Sequence, residues 1–183
     1  MSLETLKDRL PSYAKDIKLN LSSIANSTAL TAQQVWGAIL VSAIAARHET
    51  VIEEAAGAAR QHLSPEAIEA AKAAAAIMAM NNIYYRATHL IADPELSRMP
   101  ARLRMNVIAN PGVDKLDFEL WSLAASAING CGMCLQSHAH EVAKKGASRE
   151  AVQDTLRIAA VIHATAAILE GEAALQESSL AVA

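Results

Sequence analysis

Few folds can accommodate the stretch from Ser64 to Ile91 as anything but one long helix. It opens with Ser64-Pro65-Glu66: a hydroxyl that can cap a helix, a proline suited to the first helical position and an early acid. From Glu66 to Asp93 the chain contains neither glycine nor proline, and alanines crowd the first half of the stretch. Alanine has the highest helix propensity, so the segment predicts a helix running through Met78, Met80 and Tyr84. Its pattern is apolar nearly all round up to Met80, which predicts a central position.

The rest of the chain carries the same bias. Of its 183 residues 52% are hydrophobic but only 3% aromatic, and strands favour β-branched and aromatic side chains, of which the aromatic ones are scarce here. We therefore expect an all-α protein forming a single domain over residues 1–183. Pro11 suits the start of a helix through Ile17, Leu21 and Ile24, and Thr31 caps the next, over 33–46. A further helix spans 49–62. Asp93-Pro94 breaks the chain, a connector with a short helical piece covers 95–104, and 102–109 is expected to be helical. Asp114 or Asp117 starts a helix that leads to Gly130. Another then runs to Gly146, and a last one runs from Ser148 to about Leu169. The tail 178–183 is expected to fray.

Between Glu119 and His140 lie both cysteines, Cys131 and Cys134, as Cys-x-x-Cys directly after Asn129-Gly130. That dipeptide marks a turn, and no glycine or proline follows Cys134 until Gly146. The pair is thus expected at a helix N-terminus, where unpaired N–H groups and the helix dipole favour an anionic sulfur. His138 follows Cys134 by four residues and Cys131 by seven. All three share one helical face, and side chains lean toward the N-terminus, so the imidazole is predicted to point back at Cys134. His140 lies about 200° further round and is expected in solvent.

A faint internal repeat accompanies this pattern. A shift of 84 residues aligns 42–77 with 126–161 at ten identities in 36, six of them alanine. The corresponding halves would be 30–92 and 114–176. On that register Arg47, Thr50 and Glu54 occupy the places of Cys131, Cys134 and His138, making the first half scaffold and the second the working half.

A net charge of −3 without a basic cluster argues against a nucleic-acid partner. The start, Met1 to Asp8, reads as a charged helix rather than a secretory signal. The longest apolar runs, 73–80 and 158–169, fall short of the ~18 residues a membrane span needs. A cytoplasmic protein without a membrane partner is expected. A mean hydropathy of +0.18 suggests buried subunit interfaces.

Two cysteines placed as one Cys-x-x-Cys in an intracellular protein point to redox chemistry or metal binding. Cys131, Cys134 and His138 could supply three zinc ligands, with the fourth from elsewhere. Redox use fits better, because a vicinal pair cycles between dithiol and disulfide when a nearby base activates the attacking sulfur. Peroxide reduction also needs an acid–base relay. Glu119, flanked by Phe118, Leu120 and Trp121 in the preceding helix, is the best carboxylate for it. His163 is expected in the core, Met78, Met80 and Met105 in packing, and Arg98, Arg102 and Arg104 on a solvated face.

Several motifs carry a resemblance beyond the cysteines. They are the stretch Tyr13 to Leu21, Met78-Ala79-Met80-Asn81-Asn82, the stretch Arg104 to Gly112, Phe118-Glu119-Leu120-Trp121, and Ser126 to Cys131. In these the chain resembles the alkyl hydroperoxide reductase D (AhpD) family, within the carboxymuconolactone decarboxylase-like fold. The resemblance implies an AhpD-like helical fold, a homotrimer and a lipoyl-dependent peroxiredoxin activity. Alkyl hydroperoxides would be reduced directly, the peroxiredoxin AhpC would be regenerated, and no cofactor would be bound. Dihydrolipoamide on a lipoylated 2-oxoacid dehydrogenase component would donate the electrons. By matching motif Cys134 becomes sulfenic acid and forms the mixed disulfide with AhpC. Cys131 is the proton donor and resolving thiol, the two close to a redox disulfide, and Glu119 and His138 form the relay. Several relatives have histidine where this chain has Met133, so slower direct peroxide turnover is expected. The alternatives are a non-redox, decarboxylase-like member of the same fold and a zinc-binding or interaction protein.

Overall fold

The structure, a computed structural model, describes residues 2–180, with side chains through Gln176. All regular elements among them are helical: α1 Leu3–Arg9, a 3₁₀ turn Ser12–Ala14, α2 Lys15–Ser23, α3 Ala32–Ala46, α4 Glu49–Ala59 and α5 Pro65–Ile91. Then follow α6 Pro94–Arg98, α7 Asn106–Ala109, α8 Lys115–Ile128, α9 Gly132–Lys144 and α10 Arg149–Leu180. The expected all-α class holds.

Local chemistry explains the boundaries. Thr31 and Gln34 form a reciprocal capping box at the start of α3. Ser64 caps α5 by accepting from the Ala67 N–H (3.2 Å), and Ser148 caps α10 by accepting from Ala151 (3.1 Å). Glu66 and Glu150 follow these caps. The carboxylate of each is held below its ordinary pKa, first by a backbone N–H of the helix start and then by the capping serine. The helix expected from Pro11 begins with the 3₁₀ turn, and the helix expected over 102–109 is confined to Asn106–Ala109. Ahead of it Arg102 adopts a left-handed conformation, φ 52, which interrupts a helix.

The centre is formed by α3 packed across α8, with α5 and α10 alongside. The expected central position of α5 does not hold, because its alanines serve either environment. Ala70, Ala71, Ala74 and Ala75 are buried, whereas Ala76 and Ala79 face solvent. At the crossing the fully buried Trp121 donates its indole N–H to the Gln34 carbonyl (3.2 Å). A Cβ at Gly37 would overlap that indole, so glycine is required there. Gln33 and Gln34 each donate to the buried Asp117 carboxylate (2.7 Å), satisfying a charge that burial would otherwise penalise.

The last helix runs past Leu169 to Leu180, because Gly171 weakens a helix without stopping it. Residues 178–180 thus continue α10, and 181–183 of the expected frayed tail lie outside the described residues. Among the described residues α10 alone, over Arg149–Gln176, is long and apolar enough to cross a membrane by length and composition. The uninterrupted apolar runs in the sequence did not reveal it, because scattered polar residues break those runs without lowering the average. Its stripe of Ala151, Thr155, Ile158, Ile162, Thr165 and Ala166 is buried, and the helix packs against α2, α3 and α8. His163 falls outside that stripe and is exposed, contrary to expectation.

The helices come in two runs. α3, α4 and α5 start at residues 32, 49 and 65, and α8, α9 and α10 at 115, 132 and 149, giving separations of 83, 83 and 84.

Candidate active site

The elbow between α8 and α9 builds the site. Gly130 takes the left-handed conformation (φ 67) that favours glycine, which lets the chain reverse immediately before the cysteines. The preceding turn is anchored from α5. Arg86 donates to the Asn129 carbonyl, Asn129 donates its side-chain amide to Asn82 Oδ1 (3.0 Å), and Asn82 donates to Ser126 Oγ (2.9 Å). The Cys131 N–H closes on the Ser126 carbonyl (3.1 Å).

Cys131 is the N-cap of α9, and its sulfur accepts the Cys134 N–H (3.3 Å). The two sulfurs are joined as a disulfide, with Cα atoms 5.3 Å apart. Cys131 is fully buried. Cys134, 6% exposed, borders a cavity of about 530 Å³. The cavity lies between α9, the outer half of α5 and α7. Met78, Asn81 and Tyr85 line it from α5, Met105 and Ile108 from the connector, and Glu119, Met133 and His138 from α8 and α9.

His138 and Glu119 meet as expected, with Nδ1 to Oε2 at 2.7 Å and both side chains largely buried. The ring does not bond to either sulfur of the pair. Its Nε2 lies 3.2 Å from Met78 Sδ, which also receives Ser126 Oγ (3.7 Å) and Asn82 Nδ2 (3.9 Å). A thioether sulfur only accepts, so the contact with Met78 suits an Nε2–H and leaves Nδ1 facing the Glu119 carboxylate. Helical spacing correctly places His138 on the face of Cys134. It could not foresee that Met78, from another helix, would claim the ring nitrogen. Met78 is therefore more than the packing residue it was expected to be.

His140 is exposed, as expected, and so are Arg98, Arg102 and Arg104. Glu141, at the cavity rim, accepts from Lys144 Nζ (2.8 Å), which lowers its carboxyl pKa. Among the described residues no group of three or more His, Cys, Asp and Glu side chains is placed to hold a metal ion. From sequence, Asn129 has a place in the turn before the cysteines, but Asn82, Arg86 and Ser126 have no role. The only available signal was the unusual Asn81-Asn82 pair in an alanine-rich helix.

A helical scaffold presenting a Cys-x-x-Cys disulfide to a cavity shared with a His–Glu pair defines a thiol-redox class of protein. The profile of the Carboxymuconolactone decarboxylase family matches residues 94–177, which include the whole elbow. Over its full length the chain is 57% identical to the alkyl hydroperoxide reductase AhpD of Rhodospirillum centenum, with all of both chains covered. It is 59% identical to the AhpD of Gluconacetobacter diazotrophicus (96% of each chain) and 55% identical to that of Streptomyces coelicolor (96% of this chain, 98% of the relative). The chain belongs to the AhpD family.

Proposed function

We propose that this protein is an antioxidant oxidoreductase that reduces alkyl hydroperoxides through its Cys131–Cys134 pair and regenerates the peroxiredoxin AhpC. Its electrons come from dihydrolipoamide on a lipoylated 2-oxoacid dehydrogenase component. The observation that carries this reading is the asymmetry of the pair: Cys134 borders the cavity that Glu119 and His138 also line, while Cys131 is sealed behind it.

In the reduced protein the Cys134 thiolate attacks the terminal oxygen of ROOH. The O–O bond breaks, sulfur is oxidised to S–OH, and the departing alkoxide takes a proton to leave as ROH. The His138–Glu119 pair, which lines the same cavity, supplies it. Cys131 then attacks the Cys134 sulfur and expels hydroxide, which leaves as water after protonation, and the disulfide closes. A dithiol donor reopens it through a mixed disulfide. In the relay to AhpC, Cys134 is the sulfur that exchanges, because it is the one a partner can reach.

We place the protein in the cytoplasm as a homotrimer. Exposed Ile83, Leu90 and Ile91 on the outer half of α5 give the apolar surface that subunit association would cover. The test is reconstitution: dihydrolipoamide, this protein, AhpC and an alkyl hydroperoxide, with peroxide consumption followed. Turnover that needs all of the components supports the relay. Turnover that AhpC does not raise removes it, and no turnover with or without AhpC removes the peroxidase reading.

A further inference from the structure

Met78 is 1% exposed, and leucine would fill its place in the core as well. Its sulfur is nevertheless surrounded by donors. His138 Nε2 lies 3.2 Å away, Ser126 Oγ 3.7 Å and Asn82 Nδ2 3.9 Å. A thioether only accepts, so three donors converge on one acceptor. Ser126 and Asn82 belong to the net of hydrogen bonds that anchors the Asn129 turn. Met78 therefore ties the His138 ring to the same net that holds the elbow ahead of the cysteines.

The contact also meets a need of the ring. The His138 side chain is 12% exposed, and its Nδ1 is committed to Glu119 Oε2 (2.7 Å). Without Met78 a hydrogen on Nε2 would lack this acceptor, and a buried donor left unpaired is costly. The hydrogen would then favour Nδ1, where the carboxylate accepts it. A neutral sulfur also gives the hydrogen up readily, because bonds to a charged acceptor are roughly twice as strong. An alkoxide forming in the cavity that Met78 and His138 both line can take it.

We propose that Met78 is a positioning residue for the relay: its sulfur keeps the transferable hydrogen on His138 Nε2 and fixes the ring beside the cavity. This rests on the peroxidase reading above. Met78 acts through His138 and is not itself changed. When the O–O bond of ROOH breaks, the Nε2 hydrogen passes as a proton to the alkoxy oxygen and ROH leaves. The His138–Glu119 pair, one proton poorer, is refilled from solvent, and the oxidation of Cys134 to S–OH is the one already described.

Two variants separate an acceptor from a packing residue. Met78→Leu keeps the volume and removes the acceptor, whereas Met78→Gln keeps the length and offers an amide oxygen. The single-turnover rate with cumene hydroperoxide is expected to fall about tenfold in the leucine variant, the worth of one hydrogen bond, and to stay within about threefold of wild type in the glutamine variant. Packing alone predicts the reverse order, because a buried amide suits a core less than leucine does. A leucine variant as fast as wild type, or equal falls in both variants, would overturn the proposal. Long-range 1H–15N spectra of the disulfide form, with His138 assigned by His138→Gln, give a second readout that needs no peroxide. Nε2 is expected to carry hydrogen in wild type and to lose it in Met78→Leu. A bare Nε2 in wild type, or one that keeps its hydrogen in the leucine variant, would overturn the proposal even if Met78→Gln does not fold. Wild-type protein that fails to consume cumene hydroperoxide would sink the peroxidase reading instead, a result distinct from either spectrum.

Discussion

The α3–α4 and α8–α9 elbows turn in the same way and hold opposite contents. Each reverses through one left-handed residue, Arg47 (φ 65) in the first and Gly130 (φ 67) in the second, and the N-cap of the next helix follows at once. Counted from these N-caps, His48, Val51 and Ala55 stand where Cys131, Cys134 and His138 stand. The register expected from sequence, with Arg47, Thr50 and Glu54, is off by one at this point, because the helix starts here are 83 residues apart rather than 84. Alanine-rich identities could not reveal that slip. Val51 and Ala55 are fully buried in the apolar core under α1. By contrast α9 buries only Cys134 and Val142, and its inner end opens on the cavity. A covered elbow is filled like any core. An uncovered one is free to carry sulfur and imidazole, so what lies over the turn decides its chemistry more than the turn itself.

The comparison predicts where substitutions act. Cys134→Ser, at the open elbow, should reduce peroxide consumption to background while leaving the thermal midpoint close to that of the reduced wild type. A surviving rate would mean that another group meets the oxidant. Glu119→Gln removes the carboxylate that faces His138 Nδ1, and turnover should drop by about 10²-fold, measured as the single-turnover oxidation rate. At the sealed elbow the effect moves from rate to stability. Val51→Ala should cost about 2 kcal/mol in urea unfolding, whereas Ser137→Ala on the cavity side should stay within about 0.5 kcal/mol. Equal costs would erase the distinction between the two elbows.

Smaller effects sharpen it further. Met133→His places a second imidazole beside Cys134. It should raise direct peroxide turnover several-fold with disulfide exchange less affected, and an unchanged peroxidase rate would remove any role for that position. Glu141 has a lowered pKa because Lys144 donates to it. Any stability it adds is present above the unfolded carboxyl pKa and is lost as pH falls through the lower folded value. The ion pair lies at the half-exposed surface and is screened by solvent, so Glu141→Gln should leave the unfolding midpoint unchanged between neutral pH and pH ~4, the ordinary carboxyl range.

Much of this was written locally. The Thr31 box, the Ser64-Pro65 start, the Asn129-Gly130 turn and the Cys–His spacing all act over a few residues, where propensity and capping decide. The pairing of Glu119 with His138 was legible because one short turn brings their helices together. The hold of Met78 on the same ring spans 60 residues, and no periodicity encodes a contact between α5 and α9. The outward position of His163 and the peripheral one of α5 were misread for a related reason. An apolar run does not say which of its faces a neighbour will cover.

The central claim is that Cys134, at the open elbow, is the sulfur that meets the peroxide. Cys131→Ser protein, reduced, treated with one equivalent of cumene hydroperoxide and trapped with dimedone, tests it by peptide mass spectrometry. A dimedone adduct is expected on the peptide containing Cys134, in step with peroxide loss. Peroxide consumed without that adduct, or Cys134 left as free thiol while peroxide persists, would contradict it.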